Sequence, residues 1–238
     1  MKIAIVTAMW KRPEIFEMYA QGIHNLKPKH SLQVYTVGSE GAKSKELSHK
    51  YGFKYIEYDN KNLSNKHNAA CMAARAFRPD YLLFLGSDDI LSPETYSYLE
   101  SVMEQGIDFI GMTDFYFYDT STNKSAYWGG YIDKRRGHTV GAGRVVSARL
   151  MQKWQWRPFE QRHAKVLDDS MQQKLTGLNC RKHIFSLKDN GLFAVDVKSS
   201  TNMTPFQLWE NTKFINNSEL KSQFPWMMTE TKLAPSHS

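Results

Sequence analysis

Residues 81–91, Tyr-Leu-Leu-Phe-Leu-Gly-Ser-Asp-Asp-Ile-Leu, decide the fold prediction. Five consecutive apolar residues predict a short strand that is buried on both faces, as in the interior of a parallel sheet. Two carboxylates, Asp88 and Asp89, follow where this strand must end. In open α/β sheets ligands bind at the carboxyl ends of the strands, so this pair lies where a phosphate-bound cation would be held. The alternative is a turn that leads into a helix at Ser92-Pro93-Glu94, because Asp and Ser both cap helices.

The length and composition of the chain favour one large α/β domain. Its 238 residues can bury a substantial core, and a hydrophobic content of 41% excludes disorder. No apolar run approaches the ~20 residues of a membrane span, and residues 1–8 do not resemble a secretory signal. Two isolated cysteines, Cys71 and Cys180, form neither a disulfide framework nor a zinc site. We therefore expect a reduced, cytoplasmic protein without membrane partners.

The net charge of +7 belongs mainly to one segment, residues 124–165, which holds ten Lys or Arg against two acids. The same segment also carries the aromatic residues Tyr127, Trp128, Tyr131, Trp154 and Trp156. Basic residues interleaved with aromatics are typical of surfaces that meet phosphates and stacked bases. The alternative is an ordinary solvated basic face with a few core aromatics.

The order of the remaining patterns predicts alternating strands and helices, and hence a mostly parallel sheet flanked by helices. Strands are predicted at 2–7, 32–37, 53–58, 81–85 and 193–197, with strand-like pieces across 109–118 and 127–146. Helices are predicted at 13–24, 43–51, 62–76, 93–104, 148–154 and 170–176, with a loop at 156–164. Residues 199–238 read as an irregular, polar extension.

Two further polar motifs stand at predicted helix starts. Lys66 and Asn68 lie in the first turn of the 62–76 helix, where free backbone N–H groups favour an anion. A lysine is unfavourable there for helix stability, which mildly favours a ligand phosphate over the alternative of an exposed Lys beside a polar cap. Asp168 and Asp169 open the 170–176 helix, and taken alone they are ordinary caps.

Together these motifs resemble the GT-A-type nucleotide-sugar glycosyltransferases, in particular family two. Asp169 follows Asp88 by 81 residues, a separation typical of that family. The likeness covers about the first 180 residues. The matching motifs are Ile5-Val6-Thr7, Arg12-Pro13-Glu14, Lys66-His67-Asn68-Ala69-Ala70, Gly86-Ser87-Asp88-Asp89 and Asp168-Asp169 with Lys174-Leu175.

The resemblance implies a GT-A (Rossmann-like) fold, with a nucleotide-sugar-binding half at 1–118, an acceptor-side half with a small β region at 119–198, and an extension at 199–238. It implies transfer of a hexose, with inversion, from a nucleoside diphosphate sugar such as UDP-glucose. Mn²⁺ or Mg²⁺ would bind Asp88 and Asp89, and Asp169 would be the general base, with Asp168 as the next candidate. The implied donor-binding residues are Thr7, Arg12, Lys66, Asn68, Ser87 and Asp88.

The sequence departs from the family at two places. Gly86 replaces the first Asp of the Asp-x-Asp signature, which leaves Asp88 as the principal expected metal ligand. Gly38 and Ser39 replace the acids that usually follow the second strand and contact the nucleobase. Glu40 is the candidate substitute.

The basic segment favours a polyanionic acceptor. A 5-hydroxymethylpyrimidine in DNA, as glycosylated in some phages, supplies both a hydroxyl and phosphates, and a flipped base leaves a helix against which Trp128 or Trp154 would stack. The predicted acceptor-binding residues are Trp128, Lys134, Arg135, Arg136 and Arg144. One alternative acceptor is a cell-surface glycan. The alternative class is a non-catalytic nucleotide- or nucleic-acid-binding protein on a degenerate transferase fold.

Overall fold

The computed structural model describes residues 1–160, 167–199 and 211–227, and these form an α/β fold with two sheets. Their strands are β1 (Lys2–Ala8), β2 (Ser31–Gly38), β3 (Lys54–Glu57), β4 (Tyr81–Phe84), β5 (Asp89–Leu91), β6 (Phe109–Met112), β7 (Phe115–Asp119), β8 (Lys124–Trp128), β9 (Arg144–Ser147), β10 (Lys182–Phe185), β11 (Ala194–Lys198) and β12 (Thr212–Ile215). Their helices are α1 (Pro13–Asn25), α2 (Ala42–Lys50), α3 (Leu63–Ala74), α4 (Pro93–Met103), α5 (Ala148–Lys153), α6 (Leu167–Leu175) and α7 (Asn217–Gln223).

The first sheet has the strand order β10-β6-β9-β4-β1-β2-β3. Strands β1 to β4 pair in parallel, as predicted, because each is joined to the next through a crossover helix. Strand β9 is antiparallel to both of its neighbours, β4 and β6. Four of its six described strand pairings are parallel, so the sheet is mostly parallel, as predicted, but it is mixed because β9 runs against its two neighbours.

The second sheet has the order β12-β8-β7-β11-β5. Strands β8 and β11 lie within residues 119–198, where the small β region was predicted, whereas β5, β12 and most of β7 lie outside that range. The apolar run 109–118 is not one strand, because Thr113 and Asp114 divide it between the two sheets as β6 and β7. Asp89 begins β5, which precedes α4 and pairs antiparallel with β11. Ser87 and Asp88 form a turn, in which the N–H of Asp89 donates to the carbonyl of Gly86 at 3.2 Å, and a short strand that buries Ile90 and Leu91 separates this turn from α4.

Local sequence signals set most helix boundaries. The hydroxyls of Ser92 and Ser147 accept hydrogen bonds from the backbone N–H groups of Thr95 and Leu150, and so cap α4 and α5. Helix α6 begins at Leu167, so the Asp168-Asp169 pair lies inside its first turn and not before it. The side chain of Asp168 lies outside the described residues.

The prediction of an irregular extension is wrong for residues 211–227. This segment adds β12 to the edge of the second sheet, and it then forms α7. Leu220, Phe224 and Met227 are buried in the main core, at a spacing that places them on one side of the chain. Strand β10 was also missed, because its exposed Ile184 and polar flanks hide its apolar pattern.

None of the described helices is both long enough and apolar enough to cross a membrane. Cys71 and Cys180 are free thiols, which agrees with the prediction of no disulfide.

Candidate functional site

A cavity of about 690 Å³ opens at the carboxyl end of β4 and is lined by residues of both sheets. Five carboxylates line it, those of Asp88, Asp89, Asp133, Asp169 and Asp196. Aromatic rings form much of the remaining wall, including Phe84, Phe115, Phe117, Trp128, Tyr131 and Phe159. The cavity thus combines an acidic floor with apolar walls, an arrangement typical of small-molecule sites.

Three of these carboxylates form a cluster. One oxygen each of Asp88, Asp89 and Asp196 lies within 4.8 Å of the others. The cluster depends on the second sheet, in which Asp196 of β11 is the direct partner of Asp89 of β5. The backbone N–H of Val197 also donates to the carbonyl of Asp88 at 2.8 Å. Sequence reasoning missed Asp196, because only the pairing of β5 with β11 brings it to the other two.

Gly86 makes room for the cluster. A Cβ at this position would lie 2.6 Å from Asp88 Oδ1 and 2.7 Å from Asp89 Oδ2. The backbone N–H of Gly86 donates to Asp89 Oδ2 at 2.5 Å. The glycine therefore lets the carboxylates of Asp88 and Asp89 lie over residue 86, and a larger residue there would require them to shift.

Two cations border the cluster. Arg12 Nη1 donates to Asp88 Oδ2 at 2.8 Å, and Nη2 donates to Ser87 Oγ at 3.3 Å. Lys198 Nζ lies 2.5 Å from Asp196 Oδ2. Lys11 and Arg12 have φ values of 53° and 55°, in the left-handed region that non-glycine residues rarely adopt. Such backbone is characteristic of functional sites.

The electrostatics of the cluster resist full ionisation without further positive charge. Burial raises the pKa of Asp89 well above its ordinary value, and the charges of Asp88 and Asp196 add to this effect. Burial also raises the pKa of Asp196 to about 6, although Lys198 opposes the shift. Burial lowers the pKa of Lys198, but Asp196 and Asp88 outweigh it, so that this pKa is raised overall.

The cluster fits a divalent cation. Carboxylate oxygens are the ligands that suit Mg²⁺ and Mn²⁺. Oδ1 of Asp196 is buried and has no hydrogen-bond partner among the described residues, so it can still accept a ligand. Asp88 and Asp89, the predicted ligand pair, lie together with Asp196 in this cluster.

Asp169 reaches the same cavity from α6. The start of this helix is fixed by Ser170, whose Oγ accepts from the backbone N–H of Glu160 at 2.7 Å. Its end is fixed by Lys174, whose Nζ donates to the carbonyl of Arg157 at 2.6 Å. The carboxylate of Asp169 and the three-carboxylate cluster therefore face one space.

Lys66 and Asn68 are committed to protein partners. Lys66 is 1% exposed, and its Nζ donates to Met9 O, Ser39 Oγ and Asn60 Oδ1 at 2.9, 3.1 and 3.0 Å. Its ammonium thus joins the loops that follow β1, β2 and β3, and burial lowers its pKa. Asn68 donates to the carbonyl of Phe159 and accepts from its N–H. Neither residue lines the cavity, and the predicted phosphate contact of Lys66 stays a prediction.

Thr7 is fully buried at the end of β1. Glu40 accepts hydrogen bonds from the N–H of Lys11 at 2.7 Å and from Ser44 Oγ at 3.3 Å. Glu40 therefore ties the loop after β1 to the loop after β2. Its suggested contact with a nucleobase is not tested by these bonds.

The basic segment divides into cavity wall, exposed surface and core. Arg144 lines the cavity but is fully buried, with Nε and Nη2 donating to Thr139 Oγ1 and O at 2.9 and 2.7 Å. Arg135 lines the cavity mouth and lies 4.0 Å from the ring centroid of Tyr131. Lys134 and Arg136 are exposed and do not line the cavity.

The tryptophans divide in the same way. Trp128 lines the cavity, edge-on to Tyr131. Trp154 and Trp156 are buried in the hydrophobic cluster behind the first sheet, so the idea that Trp154 stacks on nucleic acid is wrong. Apolar aromatics serve the core more often than a surface, and sequence alone did not separate the two.

No protein-family model and no curated protein sequence matches this chain, but solved structures share its fold. TarS from S. aureus (residues 1–349) superposes with a TM-score of 0.62 at 14% identity, covering 83% of this chain and 60% of that one. The same protein in complex with UDP superposes with a TM-score of 0.61 at 14% identity, with the same coverage. A mannosyltransferase from Pyrobaculum calidifontis, in complex with GDP-Man and Mn²⁺, gives 0.60 at 10% identity, covering 84% of this chain and 57% of that one.

The fold is that of known glycosyltransferases. At these identities the likeness shows the fold alone. The chain also spans only about 60% of the length of these structures.

Proposed function

We propose that this protein is a metal-dependent glycosyltransferase, which moves a sugar from a nucleoside diphosphate sugar to a hydroxyl. The observation that carries the proposal is the cluster of Asp88, Asp89 and Asp196 in one cavity with Asp169. The similar folds support it, since one was solved with UDP and another with GDP-Man and Mn²⁺.

Asp88 and Asp89 would hold Mn²⁺ or Mg²⁺, which when bound would stabilise the negative charge on a departing diphosphate. Arg12 holds the Asp88 carboxylate in place, and its second hydrogen bond fixes Ser87 beside it. The pair of cations, Arg12 and Lys198, limits mutual repulsion among the three carboxylates.

Asp169 is the proposed general base. Its carboxylate would accept the proton of the acceptor hydroxyl as that oxygen bonds to the anomeric carbon and the bond from carbon to the phosphate oxygen breaks. The electron pair of the broken bond leaves with the diphosphate, and direct displacement inverts the anomeric centre. Asp168, its chain neighbour, remains the second candidate for this role.

The donor's nucleoside diphosphate would lie along the loops after β1 and β2. Thr7, Arg12, Lys66, Asn68, Ser87 and Asp88 are its proposed binding residues. For Lys66 and Asn68 the contacts favour an indirect role, in which both residues hold the loops that border the site. In this scheme residues 1–118 form the nucleotide-sugar-binding half, and residues 119–198 form the acceptor-side half, whose last strand, β11, also borders the carboxylate cluster.

A 5-hydroxymethylpyrimidine in DNA is the proposed acceptor. Trp128 and Tyr131 in the cavity wall offer rings against which a flipped base would stack, and Arg135 lies at the mouth. Exposed Lys134 and Arg136 stand on the same loop, where phosphates would contact them. Arg144 would contribute from the wall.

The test is a screen of UDP-, GDP- and TDP-sugars with Mn²⁺ against duplex DNA that does or does not contain 5-hydroxymethylpyrimidine. Mass spectrometry is expected to show the addition of one hexose to the modified DNA only. Transfer to glycans but never to DNA would replace the acceptor and keep the transferase. Salt-sensitive DNA binding without turnover of any donor would instead establish a non-catalytic binding protein.

A further inference from the structure

We infer that β11 completes the donor site, with Asp196 as the third carboxylate ligand of the cation and Lys198 as the positive charge that meets the donor's diphosphate. This rests on the proposed function. Neither residue belongs to the motifs that carried the sequence prediction, and the proposed function assigns neither of them to a ligand.

The alternation of β11 aims both side chains at the cavity. Asp196 and Lys198 are two residues apart, so they share one face of the strand, and both line the cavity. The intervening Val197 and the preceding Val195 are fully buried on the other face. A polar pair on a strand that is otherwise buried needs a partner or a ligand.

Asp196 supplies the carboxylate that residue 86 lacks. A side chain at residue 86 would require the carboxylates of Asp88 and Asp89 to shift, because its Cβ would lie 2.6 and 2.7 Å from their oxygens. Asp196 instead enters from the neighbouring strand, directly opposite Asp89 in the antiparallel register. Its buried Oδ1, which has no hydrogen-bond partner in the described ranges, is the atom left to bind a cation.

Lys198 supplies the cation that Lys66 does not bring to the cavity. Lys66 Nζ already donates to three protein oxygens, whereas Lys198 lines the cavity and pairs with Asp196 there. Lys198 is 5% exposed, so its charge acts in a poorly solvated setting, where an anion gains most from it.

The charge balance explains why both cations are needed. With every group ionised, three carboxylates against Arg12 and Lys198 leave one excess negative charge, which attracts a divalent cation. A bound divalent cation reverses that excess to one positive charge, and the site then attracts a diphosphate. Without Lys198 the loaded site would be neutral. Metal binding and nucleotide binding should therefore respond in opposite ways to the loss of Lys198.

Isothermal titration calorimetry separates these roles, with Mn²⁺ alone as the first titrant and UDP or GDP in saturating Mn²⁺ as the second. Asp196→Asn is expected to weaken Mn²⁺ binding by at least ~10-fold. Lys198→Met is expected to bind Mn²⁺ at least as tightly as the wild type, but to bind the nucleotide about 10- to 100-fold more weakly. Lys213→Met, an exposed lysine on β12 of the same sheet, is the matched control and should change neither constant.

The double variant Asp196→Asn/Lys198→Met guards against misfolding, since it leaves no unpaired charge on β11. It should fold and should lose both affinities. Unchanged nucleotide affinity in folded Lys198→Met, or unchanged Mn²⁺ affinity in folded Asp196→Asn, would overturn this inference alone. Failure of the wild type to bind Mn²⁺ and both nucleotides would overturn the proposed function beneath it.

Discussion

Asp196 lies directly opposite Asp89 across the antiparallel pair formed by β11 and β5, and this pairing gathers carboxylates from distant parts of the chain into one cluster. The pairing belongs to the second sheet, whereas Asp88 follows the central strand of the first. The candidate site therefore exists only where the two sheets meet.

Enlarging residue 86 should weaken cation binding. In Gly86→Ala the new Cβ must displace the oxygens of Asp88 and Asp89, so we expect Mn²⁺ affinity to fall by about 10-fold. Gly86→Asp, which restores the family's acid, should not bind Mn²⁺ more tightly than Gly86→Ala. Calorimetric titration with Mn²⁺ measures both variants.

Gly137→Ala is the control for these variants, because a Cβ at residue 137 meets no atom within 4 Å. Because residue 137 has a positive φ, we expect Gly137→Ala to lower the free energy of unfolding by about 1 kcal/mol and to leave Mn²⁺ binding unchanged. An increase in Mn²⁺ affinity in Gly86→Asp would show that the carboxylate cluster does not need a glycine at residue 86.

Lys66 should matter first for stability. Lys66→Met leaves three buried or half-buried oxygens without their donor, and we expect the free energy of unfolding to fall by about 2 kcal/mol. Urea denaturation measures this loss, with exposed Lys61→Met as the control. Unchanged stability together with a loss of nucleotide affinity would instead mean that Lys66 contacts phosphate directly.

The stability of the protein should decrease at acidic pH through Asp108. Burial opposes its ionisation, but hydrogen bonds from Arg149, from the backbone N–H of Arg181 and from Ser147 lower the pKa of Asp108 overall. A carboxyl with a lowered pKa stabilises the fold above the unfolded value of about 4, and this contribution is lost as the pH falls through the folded value.

Asp108→Asn should therefore lower the free energy of unfolding by about 2 kcal/mol at pH 7. The difference in the free energy of unfolding between the wild type and Asp108→Asn, called the gap below, should decrease as the pH falls below about 4. Denaturation curves at pH 7 and pH 3 measure it, and Asp189→Asn, on the exposed turn before β11, is the control. An equal gap at both pH values would exclude this ionisation as the cause.

Asp169 should affect turnover and not donor binding. Asp169→Asn keeps the size of the side chain but cannot accept the proton, so we expect kcat to fall by about 10²- to 10⁴-fold. The affinity for UDP or GDP in Mn²⁺ should stay within a factor of two or so of the wild type, because neighbouring Asp88 and Asp89 are intact. Asp189→Asn again serves as the control. A full rate in Asp169→Asn would remove it from the mechanism and point to Asp168.

Local signals made much of the fold predictable. The apolar run before Gly86 gave β4, and the capping serines Ser92 and Ser147 gave the starts of α4 and α5. These features act within a few residues, so a single sequence contains them. The family resemblance, and not spacing alone, also predicts that Asp88 and Asp169 lie in one site.

The features that sequence reasoning missed depend on long-range contacts. The antiparallel direction of β9 depends on its pairing with β4, and the role of Asp196 depends on the register of β11 against β5. The burial of Trp154 and the helix around Leu220 depend likewise on what packs over them. Residues 200–210 and 228–238 lie outside the described residues.

The most direct test of a metal-dependent nucleotide-sugar site is the release of free nucleoside diphosphate from UDP-, GDP- and TDP-sugars by the wild-type protein, measured with Mn²⁺ and again with EDTA. We predict that at least one donor is turned over with Mn²⁺, and that both EDTA and Asp88→Asn abolish its turnover. Turnover that is equal with Mn²⁺ and with EDTA, or no turnover of any donor, would contradict the account.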